Sequence, residues 1–101
     1  MTKQLKINSS ILEVKYVKNL RDDGGEEMLG THYHNMKEMQ INSAYPLQTQ
    51  RQTLLHESIH AIFSEYGLKD EKDCMEFIEP LSNALYAFLI DNKEFIKEII
   101  R

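Results

Sequence analysis

The stretch that decides the fold is Leu54-Leu55-His56-Glu57-Ser58-Ile59-His60, which contains the pattern His-Glu-x-x-His. Histidines four residues apart project from one face of a helix, one turn apart, so both imidazoles can reach one metal ion. Glu57 points about a quarter-turn away from His56 on such a helix. There it can touch a water on the metal without binding the metal. The pattern predicts a metal site formed by His56 and His60, with Glu57 as the general base.

The helix that carries this pattern is predicted to begin near Pro46, because a proline in the first turn gives up no hydrogen bond. It is predicted to end at Gly67, since glycine readily enters the left-handed conformation that follows a helix. Apolar residues at helical spacing predict one buried stripe, made of Leu55, Ile59, Ile62 and Tyr66. Both histidine rings border this stripe and therefore the core.

Zinc is the metal that best suits imidazole and carboxylate ligands without a redox role. A catalytic zinc ion has three protein ligands and a water, so a third ligand must come from another element. His32 and His34 are candidates on a predicted strand. Glu76 and Glu79 are better placed, because a helical hairpin brings the next helix back against the first. We prefer Glu79, which lies at the edge of the apolar face.

Alternating apolar residues predict strands before the motif helix. A first hairpin is expected over residues 3–17, and a second over 29–42, with its turn near Asn35-Met36. Between them, residues 22–27 combine two glycines with four carboxylates and predict a solvated loop.

Two more helices are expected after Gly67. The first starts near Asp73, and Pro80 predicts a kink or a break within it, because proline removes a backbone hydrogen bond and crowds the preceding turn. A short terminal helix is expected to open at Asp91. Its predicted core-facing residues are Phe95, Ile96, Ile99 and Ile100.

The composition restricts the classes of protein to which this chain can belong. A chain of 101 residues with 42% hydrophobic and 28% charged residues is typical of one soluble globular domain. Its net charge of −4 argues against a nucleic-acid partner. The single cysteine, Cys74, cannot form an internal disulfide, and the N-terminus leads into no apolar run of signal length. We therefore expect an intracellular protein without a membrane span.

With these residues in view, the chain resembles the small phage-associated His-Glu-x-x-His metallopeptidase-like proteins, related to the ImmA/IrrE group and to the wider gluzincins. The likeness covers most of the chain and is carried by residues 51–62, the Leu29-Gly30 pair and Phe77-Ile78-Glu79. It implies one minimal zincin-like domain over residues 1–101. The implied α+β fold packs a small antiparallel or mixed sheet from two N-terminal hairpins on the motif helix, followed by a kinked helix and a short C-terminal helix.

The resemblance also implies a set of site residues. It makes His56, His60 and Glu79 the ligands of Zn²⁺ and Glu57 the catalytic base, while Pro80 directly after Glu79 departs from an uninterrupted helix. Donors that could steady an oxyanion are Tyr33, Tyr66, His34 and His32.

The sequence supports two alternative functions. The first is a cytoplasmic zinc-dependent peptidase of a bacterial cell, encoded by a phage or prophage, that acts on a peptide or a regulatory protein. The alternative is a non-catalytic regulatory or partner-binding module of a phage or mobile element, with a structural or vestigial metal site. A helical DNA-binding module is disfavoured, because Arg51 is the only positive charge on the motif helix.

Overall fold

The computed structural model of the chain describes residues 1–68 and 72–101, with side chains of the second helix described from residue 76 onward. Four strands come first: β1 (Gln4–Ile7), β2 (Ser10–Val17), β3 (Gly30–Tyr33) and β4 (Glu38–Asn42). Three helices follow: α1 (Leu47–Glu65), α2 (Lys72–Asp91) and α3 (Lys93–Ile99). The α+β class expected from the sequence is confirmed. No helix in the described part of the chain is both long and apolar enough to cross a bilayer.

The strands form one mixed sheet in the order β1-β2-β4-β3. Both predicted hairpins are present, since β1 pairs antiparallel with β2 and β3 pairs antiparallel with β4. The hairpins are joined through the middle of the sheet, where β2 and β4 run parallel. As a result β3 is an edge strand, and residues 18–29, the crossing segment, must pass the end of β4 to reach it.

The core lies between one face of the sheet and α1. Leu12 and Val14 alternate along β2, and Met39 and Ile41 alternate along β4, so that each pair points toward the helix. On the helix side, Ala61 is fully buried, which lets the helix backbone approach the sheet closely. The opposite face of the sheet is polar, and Lys15 there forms an ion pair with Glu38 at 2.8 Å.

Asn42, at the end of β4, connects the crossing segment to the start of the motif helix. Its side chain is 1% exposed and donates a hydrogen bond of 2.8 Å to the carbonyl of Met28, while its Oδ1 accepts one from the amide of Ala44. The backbone amide of Asn42 donates to the carbonyl of Leu29. These bonds satisfy buried polar groups and fix residues 28 and 29 beside the helix.

The ends of α1 agree with the prediction, but its buried face does not. Pro46 precedes the helix, and Gly67 follows its last turn with a positive φ of 68°. Of the predicted stripe, Ile59 is buried, Leu55 is half-buried, and Ile62 and Tyr66 are exposed. The buried positions of α1 are Gln50, Thr53, Ile59 and Ala61. The predicted stripe is wrong at its C-terminal end because α1 contacts the sheet on one side and α2 on another, so no single apolar stripe describes it.

Helix α2 continues through Pro80, so of the kink or break predicted at that residue, the break is not found. Ile78 is fully buried against α1, and Ser82, one turn later, is 4% exposed. The prediction for α3 is wrong in its burial: none of its residues is buried, and it packs against the end of α2, where the rings of Phe88 and Phe95 meet edge to face.

Candidate active site

A cleft of about 530 Å³ opens between three parts of the chain. The crossing segment and the start of β3 form one wall, including Leu29 and Gly30. The motif helix α1 contributes His56 and Glu57, and α2 contributes Glu79. Three elements remote in sequence therefore bring His56, Glu57 and the preferred third-ligand candidate to one cleft, whereas His60, one turn further along α1, is not among its lining residues.

The two motif histidines are half-buried and directed at a common point. The Nε2 atoms of His56 and His60 are 3.3 Å apart, and their rings meet edge to face with centroids 5.0 Å apart. Two imidazole nitrogens that each lie about 2.0–2.1 Å from a tetrahedral zinc ion are separated by about 3.3–3.4 Å. The observed separation matches one edge of a zinc coordination tetrahedron, so the histidine pair fits this metal. Without a metal, the same distance allows an N–H···N hydrogen bond between the two rings.

The environment of His56 favours the neutral imidazole, which is the form that binds a metal. Burial lowers the pKa of His56, the neighbouring His60 lowers it further, and the carboxylate of Glu79 opposes the shift. The other ring nitrogen of His56, Nδ1, lies 3.3 Å from the hydroxyl of Ser82 on α2.

The carboxylates differ in their placement. Glu57 and Glu79 line the cleft, and the side chain of Glu79 is exposed. Glu76 is exposed too, but it is not one of the lining residues. Among the side chains that the structure describes, no three His, Cys, Asp or Glu residues are grouped closely enough to hold a metal ion. The histidine pair is therefore in place, whereas completing a three-ligand set requires a carboxylate of the cleft to turn toward it.

The remaining histidines lie apart from this cleft. His32 is half-buried on β3, and His34 follows the strand, with its Nδ1 3.9 Å from Glu65 at the end of α1. The rings of His32 and His34 are 6.1 Å apart. Neither they nor the two tyrosines named as oxyanion donors are among the described residues that line the cleft.

Two residues that shape the site were not predicted to be site residues. Ser82 carried a weak signal, since it lies three residues after Glu79 on the same side of α2. Gly30 allows close packing of β3 on α1, because a Cβ atom there would lie 2.6 Å from Cγ2 of Thr53 and 3.1 Å from the carbonyl oxygen of Gln40. Nothing local in the sequence shows this approach of strand to helix.

Comparison with known families agrees with the arrangement. The family model of the IrrE N-terminal-like domain, a peptidase family, matches residues 14–99, which run from the middle of β2 to the end of α3 and include the whole cleft. Neither the curated proteins nor the solved structures contain a match to the chain. Because the family model covers most of the sequence, this chain belongs to the IrrE N-terminal-like peptidase family.

Proposed function

We propose that the protein is a zinc-dependent peptidase whose metal is held by His56 and His60, with Glu79 as the third ligand. The observation that carries the proposal is the 3.3 Å separation of the two Nε2 atoms, which suits two corners of a zinc tetrahedron. Membership of the peptidase family supports the reaction class. The presence of Glu79 in the same cleft supports its selection over Glu76.

Zinc, when bound, acidifies a water molecule and polarises the carbonyl of the peptide bond. The chain itself must then move one proton and position the substrate. Glu57, which lines the cleft next to His56, accepts the proton of the attacking water and transfers it to the leaving amine nitrogen. The cleft between β3, α1 and α2 holds the peptide.

The proposal extends to the setting of the protein. A peptide or a regulatory protein is the substrate, and the resemblance noted from the sequence supports a phage- or prophage-encoded protein in the bacterial cytoplasm.

Metal analysis of purified variants tests the site. We expect one zinc ion per wild-type chain, loss of that ion in His56→Ala, and retention in His34→Ala, which removes an imidazole outside the cleft. Glu79→Gln removes a ligand and should weaken zinc binding by more than the roughly tenfold loss that removal of an outer-shell partner causes, whereas Glu76→Gln should not. Wild-type protein that binds no zinc would contradict the proposal.

Activity is tested separately with Glu57→Gln, which should keep its zinc but no longer cleave a mixed peptide library. Mass spectrometry of the library measures the cleavage.

The second candidate function, a regulatory module of a phage or mobile element, is favoured by one observation: the described residues contain no group of three His, Cys, Asp or Glu side chains close enough to hold a metal ion. Wild-type protein that holds zinc, cleaves no peptide of the library and forms a stable complex with a host protein would support that alternative.

A further inference from the structure

Ser82 connects the second helix to the first motif histidine. The residue is 4% exposed, and its Oγ lies between two partners. One is Nδ1 of His56, at 3.3 Å, and the other is the backbone carbonyl oxygen of Glu79, at 3.0 Å. The three groups form a short chain of hydrogen bonds that leads from the backbone of α2 to the imidazole ring.

The direction of these bonds follows from counting protons. A serine hydroxyl has one proton to donate, and a carbonyl oxygen can only accept. The hydroxyl proton of Ser82 is therefore used in the bond to Glu79. Toward His56 the same oxygen can only accept, so the proton in that second bond belongs to Nδ1 of His56.

We infer that Ser82 is a positioning residue that holds His56 as the tautomer protonated on Nδ1, with the lone pair on Nε2 directed at the point shared with His60. The hydrogen bond made by one imidazole nitrogen decides which nitrogen carries the proton, and partners of this kind orient metal-binding histidines. The use of that lone pair for zinc rests on the proposed function. The tautomer itself does not, because the protons are counted within the chain.

The main test is a long-range ¹H–¹⁵N NMR spectrum of metal-free protein labelled on its histidines, recorded at pH 8, where neutral imidazole prevails. Wild-type His56 should show a protonated Nδ1 and an unprotonated Nε2. In Ser82→Ala the signals of His56 should shift toward those of an averaged tautomer pair. Ser82→Thr keeps the hydroxyl and should restore the wild-type pattern. Ser58→Ala is the matched control, because it removes a helix serine whose hydroxyl, among the described residues, donates to the backbone carbonyl of Leu54.

Zinc affinity, measured by competition with a chelator, gives the second readout. Ser82→Ala should weaken binding about tenfold, the lower end of the usual effect of losing such a partner, while Ser82→Thr and Ser58→Ala should stay near wild type.

An unchanged His56 tautomer in Ser82→Ala overturns the inference and leaves the proposed peptidase intact. Wild-type protein without zinc affinity overturns the peptidase, and the NMR comparison then still decides the role of Ser82. If Ser82→Ala does not fold, wild type and Ser82→Thr decide instead: a protonated Nε2 on His56 in either protein contradicts the inference.

Discussion

At the scale of single residues, the cleft depends on how closely β3 approaches α1. Gly30 faces Thr53, which is buried and whose hydroxyl donates a hydrogen bond of 2.8 Å to the carbonyl of Thr49. This bond holds the methyl group of Thr53 against the glycine, so the space for a side chain at position 30 is closed by a group that does not easily turn away.

Gly30→Ala should therefore destabilise the protein by about 1–3 kcal/mol, the usual cost of forcing an extra carbon into a packed site. Urea unfolding followed by circular dichroism measures the change. Thr53→Ser removes the methyl carbon that lies nearest and should recover part of the loss in the double variant. Gly24→Ala is the control, since a Cβ there would meet only Asp22 at an ordinary 3.4 Å. Equal effects of Gly24→Ala and Gly30→Ala would contradict the packing argument.

At the scale of elements, an ion pair connects the end of α1 to the turn between β3 and β4. The carboxylate of Glu65 is 6% exposed and accepts a hydrogen bond from the ammonium group of Lys37. Lys37 holds a positive φ of 50° in that turn. Because the turn follows β3, this ion pair helps to hold the edge strand along the motif helix.

This ion pair makes stability depend on pH. The hydrogen bond from Lys37, followed by one from Ser10, lowers the pKa of Glu65 below its ordinary value of 4.5. The unfolded chain therefore binds the proton first, and the contribution of Glu65 is present above pH 4.5 and lost as the pH falls through the lower pKa of the folded protein. Glu65→Gln should be less stable than wild type at pH 6, and the difference should shrink at pH 3.

Urea unfolding at both pH values measures this difference. Lys37→Met removes the other partner and should give a similar loss at pH 6. A gap between wild type and Glu65→Gln that is as large at pH 3 as at pH 6 would show that the ion pair is not its cause.

The same elements show which features of the fold and the site could be predicted from the sequence. Both hairpins could be predicted because Leu12 and Val14 alternate with polar residues, as burial of one face requires. The His-Glu-x-x-His pattern placed two imidazoles on one helix face by spacing alone. The parallel pairing of β2 with β4, the burial of Thr53 in place of Ile62, and the role of Ser82 all depend on contacts between distant segments. Local periodicity carries no information about such contacts.

At the scale of the whole molecule, the fold becomes less tightly packed toward its C-terminal end. The sheet and α1 enclose the main core, α2 buries Ile78 and Ser82 outside that cluster, and α3 buries none of its residues. Helix α3 packs against α2, where Phe95 meets Phe88, and none of the described residues that line the cleft belongs to α3. The cleft therefore depends on α2 and not on α3.

Removal of residues 93–101 should lower the free energy of unfolding by only about 1 kcal/mol, close to the value of one aromatic pair. Thermal unfolding followed by circular dichroism measures this, and the transition should stay cooperative. Phe88→Ala in the full chain should reproduce much of the loss, because it removes the same ring contact. A truncated chain without a cooperative transition would show that α3 supports the core.

The parallel pairing of β2 with β4 also bears on the order in which the chain can assemble. Each hairpin closes over a few residues, whereas the central pair joins Glu13 to Glu38 across the whole crossing segment. Loop closure over such a separation costs more entropy than either hairpin turn and slows folding. The same closure brings Leu29 and Gly30 to the motif helix. This wall of the cleft is thus completed in a less local step than the closure of either hairpin, and a chain with only the two hairpins formed would still lack a binding site.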